Sequence, residues 1–341
     1  MRAIMLEKPG TMSRIEIAAP PHPGRGEALV KVHCVGICGT DISGYLGKMP
    51  FFSYPRIPGH ELGVEVLHVG EDVTHVSVGD RCSVEPYINC GQCFACHRGA
   101  VNCCENLQVL GVHCDGGLRS EFVLPARKLH VATGLSYEQA AIVETLAIGR
   151  HAVRRAAVTS DESVLVIGAG PIGLSAIVFA KLFGARVIVL DMQPSRLEFC
   201  KRHMGVDETI EFHGDDSEIA SLRAVTDNRL PTVVIDATGS PKSMSHTLNY
   251  ASHAGRIVYV GIVTSDIAFP HPLMHRKELT LLASRNAMSD DFTSIIEGIV
   301  TGRIDTRPWI THRTPIDQLP EVFPSYTRPE TGVIKAIVDV S

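Results

Sequence analysis

VLVIGAGPIGLSAIVFAKLFGARVIVLD, residues 164–191, reads as strand, glycine turn, helix and strand. Its first four residues are a short apolar run without alternation, as expected of a strand buried on both faces of a parallel sheet. Gly168, Gly170 and Gly173 follow with GxGxxG spacing. The first glycine permits a tight turn, the second lets backbone approach a pyrophosphate, and the third lets the new helix lie close to the strand. Pro171 opens that helix and Gly184 closes it. The unpaired N–H groups and positive dipole end at its start offer a seat for a diphosphate. Asp191 ends the second strand 21 residues after Gly170, which suits a carboxylate accepting from the adenosine ribose and repelling a 2′-phosphate. A lone GxGxxG is also found as a plain turn between core elements. Here strand, helix, second strand and terminal acid agree, and the pattern specifies NAD rather than NADP.

A chain of 341 residues has room for about two domains. With 45% apolar and 20% charged residues it is neither disordered nor fibrous in composition. The net charge of −5 provides no basic field for nucleic acid or an anionic membrane, and no apolar stretch is long enough to span a bilayer. The N-terminal MRAIMLEKPG has charges and a proline where a secretory signal needs an apolar run, so a cytoplasmic location is expected. Ten cysteines in that setting point to thiolates or metal ligands rather than disulfides.

Outward from the glycine turn, the pattern after residue 161 alternates strand and helix. ETIEF, TVVIDAT, RIVYVG and LTLLAS add four strands to the first two, enough for a doubly wound parallel sheet of the Rossmann type. Before it, RAIMLE, ALVKVHCVG and ELGVEVLHVG and the short strands that follow, broken by Pro/Gly segments, describe a β-rich domain resembling a small barrel or sandwich. Residues 136–157 then turn helical. After Arg285 a helix at FTSIIEGIVTG and strand-like ITHRTPI and GVIKAIVDV suggest a return to the first domain. The expected division is 1–148, 149–285 and a returning 286–341.

Two groups of residues have metal-binding character. Cys90, Cys93 and Cys96 stand in CGQCFACHRGAVNCC with Cys103 and Cys104 at its end. Four thiolates in so short a loop can close a tetrahedral, structural zinc shell. The second group is scattered: Cys38 in VGICGTD, His60 and Glu61 in PGHE, and Glu144 in VETLAIG. One thiolate, one imidazole and one carboxylate leave zinc a position for substrate, which marks a catalytic site. Asp41 is a candidate to orient His60. Thr40, two residues after Cys38, is a candidate hydroxyl for moving a proton.

These motifs, with VGDRC, CDGG, VIGAGPIGL and DATG, occur in the order found in the zinc-dependent medium-chain alcohol dehydrogenases, which the chain resembles over nearly its whole length. The resemblance implies a GroES-like catalytic domain, a Rossmann domain and two zinc ions per subunit. It implies catalytic zinc on Cys38, His60 and either Glu61 or Glu144, and selects Cys104 rather than Cys103 as the fourth ligand of structural zinc. Cofactor contacts expected besides Gly168, Gly170, Pro171, Gly173 and Asp191 are Ile172, Arg196, Thr238, Val260, Gly261, Ile262 and Arg285. Glutamate at 144 resembles the polyol and threonine dehydrogenase branch, and ENLQVLGVHCDGG and KELTLLASRNA resemble bacterial sugar-acid dehydrogenases of the L-galactonate type. Three positions depart from the pattern: Ser43 where a relay histidine is common, Thr145 where proline is usual, and Arg119 where a small residue is common.

The expected function is therefore NAD-linked oxidation of a secondary alcohol to a ketone by a homodimer or homotetramer. Tyr87, His113, Arg119 and Asn286 are candidate contacts for a polyhydroxylated substrate, since a short aliphatic alcohol would need mostly apolar lining. A simple secondary-alcohol or threonine-type dehydrogenase, or a zinc-free NAD(P)-dependent reductase of the same fold, is the alternative.

Overall fold

The computed structural model describes all 341 residues, and the chain divides into two compact units, Met1–Thr145 with Met288–Ser341, and Leu146–Ala287. In chain order the first unit contains β1 (Arg2–Lys8), β2 (Thr11–Glu16), β3 (Glu27–Ile37), α1 (Gly39–Tyr45), β4 (Glu61–Val69), β5 (Arg81–Val84), β6 (Tyr87–Ile88), α2 (Phe94–His97), β7 (Gln108–Val109), β8 (Glu121–Pro125) and β9 (Leu129–Val131). Helix α3 (Tyr137–Arg155) carries the chain into the second unit. That unit runs through β10 (Ser163–Ile167), α4 (Pro171–Leu182), β11 (Arg186–Asp191), α5 (Pro194–His203), β12 (Glu208–Glu211), α6 (Ser217–Val225), β13 (Val233–Asp236), α7 (Pro241–Tyr250), β14 (Arg256–Tyr259), α8 (His271–Lys277) and β15 (Thr280–Ala283). The chain then rejoins the first unit as α9 (Ser289–Val300), β16 (Ile310–Pro315), α10 (Leu319–Tyr326) and β17 (Lys335–Asp339).

The second unit is a six-stranded parallel sheet in the order β12-β11-β10-β13-β14-β15, with the order reversing beside β10. All six strands read from the sequence are present, and the unalternating runs VLVI and VVI are buried at every residue, as a sheet covered on both faces requires. The first unit is built on a seven-stranded sheet, β16-β17-β3-β4-β5-β9 with β8 also paired to β3. Its long central strand β3 alternates half-buried and buried residues before its last four positions are all buried. β17 lies antiparallel to β3 at Ala336↔Ile37, so the end of the chain completes this sheet. Between β6 and β7, which pair at Tyr87↔Val109, the chain makes an excursion that contains all four cysteines of the CGQC loop.

A second buried feature fastens α9 to the sheet. Glu85, just past β5, accepts from Lys128 and from Ser289 Oγ at 2.6 Å, and lies 3.3 Å from His130 Nε2. Burial pushes this carboxyl up, but His130 and Lys128 outweigh it and hold the group below the usual carboxylate range. A depressed carboxylate adds stability above its unfolded value, and that stability is lost as pH falls through its folded value. Glu85→Gln is expected to cost about 3–5 kcal/mol near neutrality, because it leaves buried Lys128 without a countercharge. Urea titrations between pH 3 and 7 test this: the gap between the parent and Glu85→Gln should narrow on the acid side, and a gap independent of pH would refute the ion-pair account.

Candidate active site and metal centres

The adjacent β3 and β4 bring the scattered residues together. Gly36 pairs with Glu61 in the antiparallel register, so Cys38, one residue beyond β3, meets His60, one residue before β4. Cys38 is also the N-cap of α1, and its backbone N–H donates to Asp41 Oδ2 at 2.9 Å. The thiol, the His60 imidazole and the Glu61 carboxylate present ligand atoms within 4.8 Å of one another. His60 and Glu61 are buried. Asp41 Oδ1 faces His60 Nδ1 at 3.8 Å, beyond hydrogen-bonding distance, and neither atom has a partner. The expected orienting carboxylate is thus beside the imidazole without yet bonding it.

Lys335, absent from the sequence reading, is the countercharge of the site. From the start of β17 its Nζ donates to both oxygens of Glu61, at 2.6 and 2.7 Å, and to Ile37 O at 3.3 Å. Burial opposes both charges, but each sustains the other: Glu61 is held below the usual carboxylate range and Lys335 above the usual amine range. A lone lysine inside the apolar strand run GVIKAIVDV was the signal for it. Glu144, on α3, lies outside the set of three and accepts from the Tyr87 hydroxyl. Burial raises its pKa to about 7, with His60 opposing and Glu61 adding to the rise. Burial likewise lowers His60, but Asp41 and Cys38 more than reverse it and hold the imidazole well above its ordinary range. So a soft sulfur ligand, an imidazole and a carboxylate converge, with Glu144 near them, at a largely buried site whose field favours positive charge, and that donor set fits zinc with a position left open.

The four cysteines of the loop also converge, with all sulfurs within 4.8 Å. They are thiols rather than disulfides, with Cys104 3.5 Å from Cys90 and 3.9 Å from Cys93. Each sulfur accepts from a different N–H: Cys104 from Cys90, Cys90 from Gln92, Cys93 from Glu105 and Cys96 from the Asn89 side chain. The Gln92 and Cys93 amides pull the Cys90 thiol down to about 6, whereas burial pushes Cys104 up to about 11. A metal that keeps all four ionised fits this shell, and the tetrad is closed. Cys103 is exposed and outside it.

In the second unit, Gly168 takes φ +90 after β10, and a Cβ on Gly173 would lie 1.7 Å from Gly168 O, so both positions need glycine. Gly170 caps α4 and Pro171 opens it. Asp191 is buried, and its carboxylate already accepts from Ala169 N–H at 2.6 Å and Gln193 N–H at 2.8 Å. Arg196 lies over the turn, 3.0 Å from where a Gly170 Cβ would stand, and donates to Gln193 Oε1 at 3.1 Å. Thr238 donates its hydroxyl to Asp236 at 2.7 Å and accepts from Ser240 N–H, so that hydroxyl shapes the turn after β13. Ile172, Val260 and Gly261 are half-buried, and Ile262 and Arg285 are exposed.

The candidate substrate contacts Tyr87, His113 and Arg119 belong to the first unit and are engaged there. Tyr87 bonds Glu144, His113 Nδ1 accepts from Val109 N–H at 3.1 Å, and Arg119 donates to Asp115 O at 3.2 Å and lies over the Phe122 ring. Asn286 belongs to the other unit, where it takes φ +52 after β15. Thr40 and Ser43 both lie on α1, half-buried.

A β-rich unit with a mixed-ligand metal set, followed by a glycine-turn parallel sheet, defines a zinc-type nicotinamide dehydrogenase. Residues 24–133 match the alcohol dehydrogenase GroES-like domain and residues 171–301 the zinc-binding dehydrogenase domain, so the chain belongs to this family of NAD-dependent oxidoreductases acting on CH–OH groups. It is 40% identical to the L-galactonate-5-dehydrogenase of Escherichia coli K12, over 93% of each chain. It is 33% identical to the 2-dehydro-3-deoxy-L-galactonate 5-dehydrogenase of Pseudoalteromonas atlantica, over 93% of this chain and 92% of that one. A crystal structure of an Escherichia coli CFT073 alcohol dehydrogenase complexed with NADH superposes with a TM-score of 0.92 at 32% identity, covering 100% of this chain and 99% of that one. No helix is long and apolar enough to cross a membrane.

Two outcomes are expected from this geometry. Metal analysis should find two zinc ions per chain. Cys38→Ser should lose one with little change in thermal unfolding, and Cys93→Ser should lose the other and unfold at lower temperature. One zinc in a fully active preparation would contradict this. Separately, Asp191→Asn keeps an acceptor for the turn but removes the charge, and should raise the NADP-to-NAD ratio of kcat/KM about 10-fold, the equivalent of roughly 1.4 kcal/mol of repulsion. An unchanged ratio would assign cofactor choice to another residue.

Proposed function

We propose that this enzyme oxidises a secondary hydroxyl of a polyhydroxylated small molecule, a sugar acid in preference to a neutral sugar or polyol, and passes the hydride to NAD+ to give a ketone. The observation that carries this reading is the convergence of half-buried Cys38 with buried His60 and Glu61, with Glu144 near them, a donor set suited to an open zinc position. When bound there, zinc supplies Lewis acidity that makes a substrate hydroxyl easier to deprotonate near neutrality. Cys38 and His60, with Glu61 or Glu144, hold that metal, and Cys90, Cys93, Cys96 and Cys104 hold the second. The residues around the open position then have three tasks. They orient the carbinol carbon towards nicotinamide C4, exclude water, and remove the hydroxyl proton.

Thr40, in the first turn of α1, relays that proton, its hydroxyl oxygen accepting it as the hydroxyl's own proton passes on through the nicotinamide ribose towards solvent. With Ser43 where a histidine is common, the route to solvent has no imidazole. Gly168, Gly170, Pro171, Ile172 and Gly173 seat the cofactor pyrophosphate, Asp191 and Arg196 its adenosine ribose, and Thr238, Val260, Gly261, Ile262 and Arg285 the remainder. The acid preference is supported by two relatives named for galactonate substrates and by arginine, whose planar fork matches a carboxylate. Family resemblance also supports a cytoplasmic homodimer or homotetramer.

The test is kcat/KM with NAD+ for L-galactonate and related aldonates, sorbitol, threonine and 2-butanol. Aldonates should be best and 2-butanol worst, since buried groups built to bind hydroxyls discriminate by up to about 10⁴ to 10⁵ against substrates lacking them. Best activity on 2-butanol would overturn the polyhydroxyl reading. Best activity on sorbitol would keep it and remove the carboxylate.

A further inference from the structure

Three buried polar residues alternate along one short run of chain, Glu85, Tyr87 and Asn89, and each is committed in a different direction. Glu85 anchors the run through Lys128, His130 and Ser289. Tyr87 donates to Glu144, and its ring meets the edge of Phe292, 6.5 Å between centroids. Phe292 is itself stacked on His130 at 4.8 Å. Asn89 accepts from Arg127 twice, at 2.6 Å on its side-chain oxygen and 2.7 Å on its backbone carbonyl. Because that fork occupies the amide oxygen, the amide nitrogen is the end facing Cys96 Sγ, 3.7 Å away. The next residue is Cys90, itself one of the four convergent thiols.

The Asn89 amide reaches its sulfur from a side chain, whereas the N–H groups of Cys90, Gln92, Cys93, Cys96, Glu105 and Asn106 that face the sulfurs are backbone. It fastens the metal loop to the β-sheet side of the unit through Arg127, which lies between β8 and β9. Only two residues lie between Tyr87 and Cys90, three steps of chain that span at most about 11 Å when extended. A hydrogen bond holds only within a narrow range of distance and angle, so the Tyr87–Glu144 contact is sensitive to where the run places Tyr87.

We propose that residues 85–90 form a strut through which the four-cysteine site sets the position of Glu144. Asn89 and Arg127 hold the metal loop, Glu85 holds the far end of the run, and Tyr87 passes that position to the carboxylate. All four are positioning residues. This assigns the closed metal a role at the open one besides its local contribution to folding, and it rests on the functional reading above, in which both sets bind zinc.

The experiment uses the zinc-loaded enzyme and two readouts: the rate of zinc transfer from the four-cysteine site to a chromogenic chelator, and the visible spectrum of cobalt substituted at the Cys38 site. Asn89→Ala should speed zinc release from the four-cysteine site about 10-fold or more, in line with the loss of a group that orients a metal ligand. It should also shift the cobalt bands at the Cys38 site in the same direction as Tyr87→Phe. Arg127→Met leaves the Asn89 amide in place and should give the same pair of changes in smaller measure, which provides the answer if Asn89→Ala fails to fold. Faster zinc release with cobalt bands identical to the parent would overturn the strut, and so would unchanged zinc release. Failure of the parent to take metal at the Cys38 site would overturn the functional reading, and the strut with it, whereas two bound metals that respond independently would overturn the strut alone.

Discussion

The architecture of the first unit depends on one buried charge pair, Glu61 with Lys335. Taking two ions out of water costs several kcal/mol each, and their attraction offsets this only when the geometry is close and the remaining donors and acceptors are satisfied. Here the ammonium has three acceptors, both Glu61 oxygens and Ile37 O. Room for the carboxylate exists because position 36 is glycine: a Cβ there would lie 2.1 Å from Glu61 Oε2. The pair therefore requires β3, β4 and β17 to be neighbours and requires the chain to come back after the second unit to supply the lysine. The same register leaves Cys38 and His60 just outside the strand ends, so the metal donors inherit their placement from the charge pair behind them.

The two thiol-containing centres solve opposite problems. The four-cysteine loop lies in a largely exposed excursion, and each of its sulfurs faces at least one N–H group, so its negative charge is shared with backbone dipoles. The Cys38 set is buried, its negative charge is opposed by Lys335 and His60, and Asp41 Oδ1 and His60 Nδ1 are left without partners. A centre satisfied on every side retains its ion. A centre with unspent donors and acceptors can accommodate changes in what it binds, which is what turnover requires.

What could be read in the sequence was what is local. The glycine turn is set by close contacts within a few residues, and most strands of the parallel sheet carry short unalternating apolar runs, so both were legible. The sequence does not announce β2, with little apolar content in TMSRIE, α8, only seven residues long, or α10, where Pro320 and Pro324 interrupt the helical pattern. In α10 the apolar face made by Leu319, Phe323 and Tyr326 is buried and outweighs the prolines. Side-chain pairing across long separations left no local mark: Lys335 and Glu61 are 274 residues apart, and Ser289 and Glu85 are 204. Tyr87 was read as a substrate contact because tyrosine near a polar site suggests one. Its partner Glu144, 57 residues away, gives that hydroxyl a second use that spacing alone could not reveal.

Asp191 illustrates how a correct residue can be read with only part of its physics. At the end of β11 a carboxylate discriminates against a 2′-phosphate by charge, and that much follows from its position. In the folded protein the same two oxygens accept from Ala169 in the glycine turn and Gln193 at the cap of α5. Both N–H groups belong to the turns that flank α4 and α5, and a buried donor left unpaired costs about 1–3 kcal/mol. Removing the side chain would therefore loosen the turn that receives the pyrophosphate as well as change the charge beside the ribose. Cofactor selection and turn geometry are coupled through one carboxylate, so a neutral replacement such as asparagine, which keeps one of the two acceptor oxygens, loosens the turn in part as it removes the negative charge.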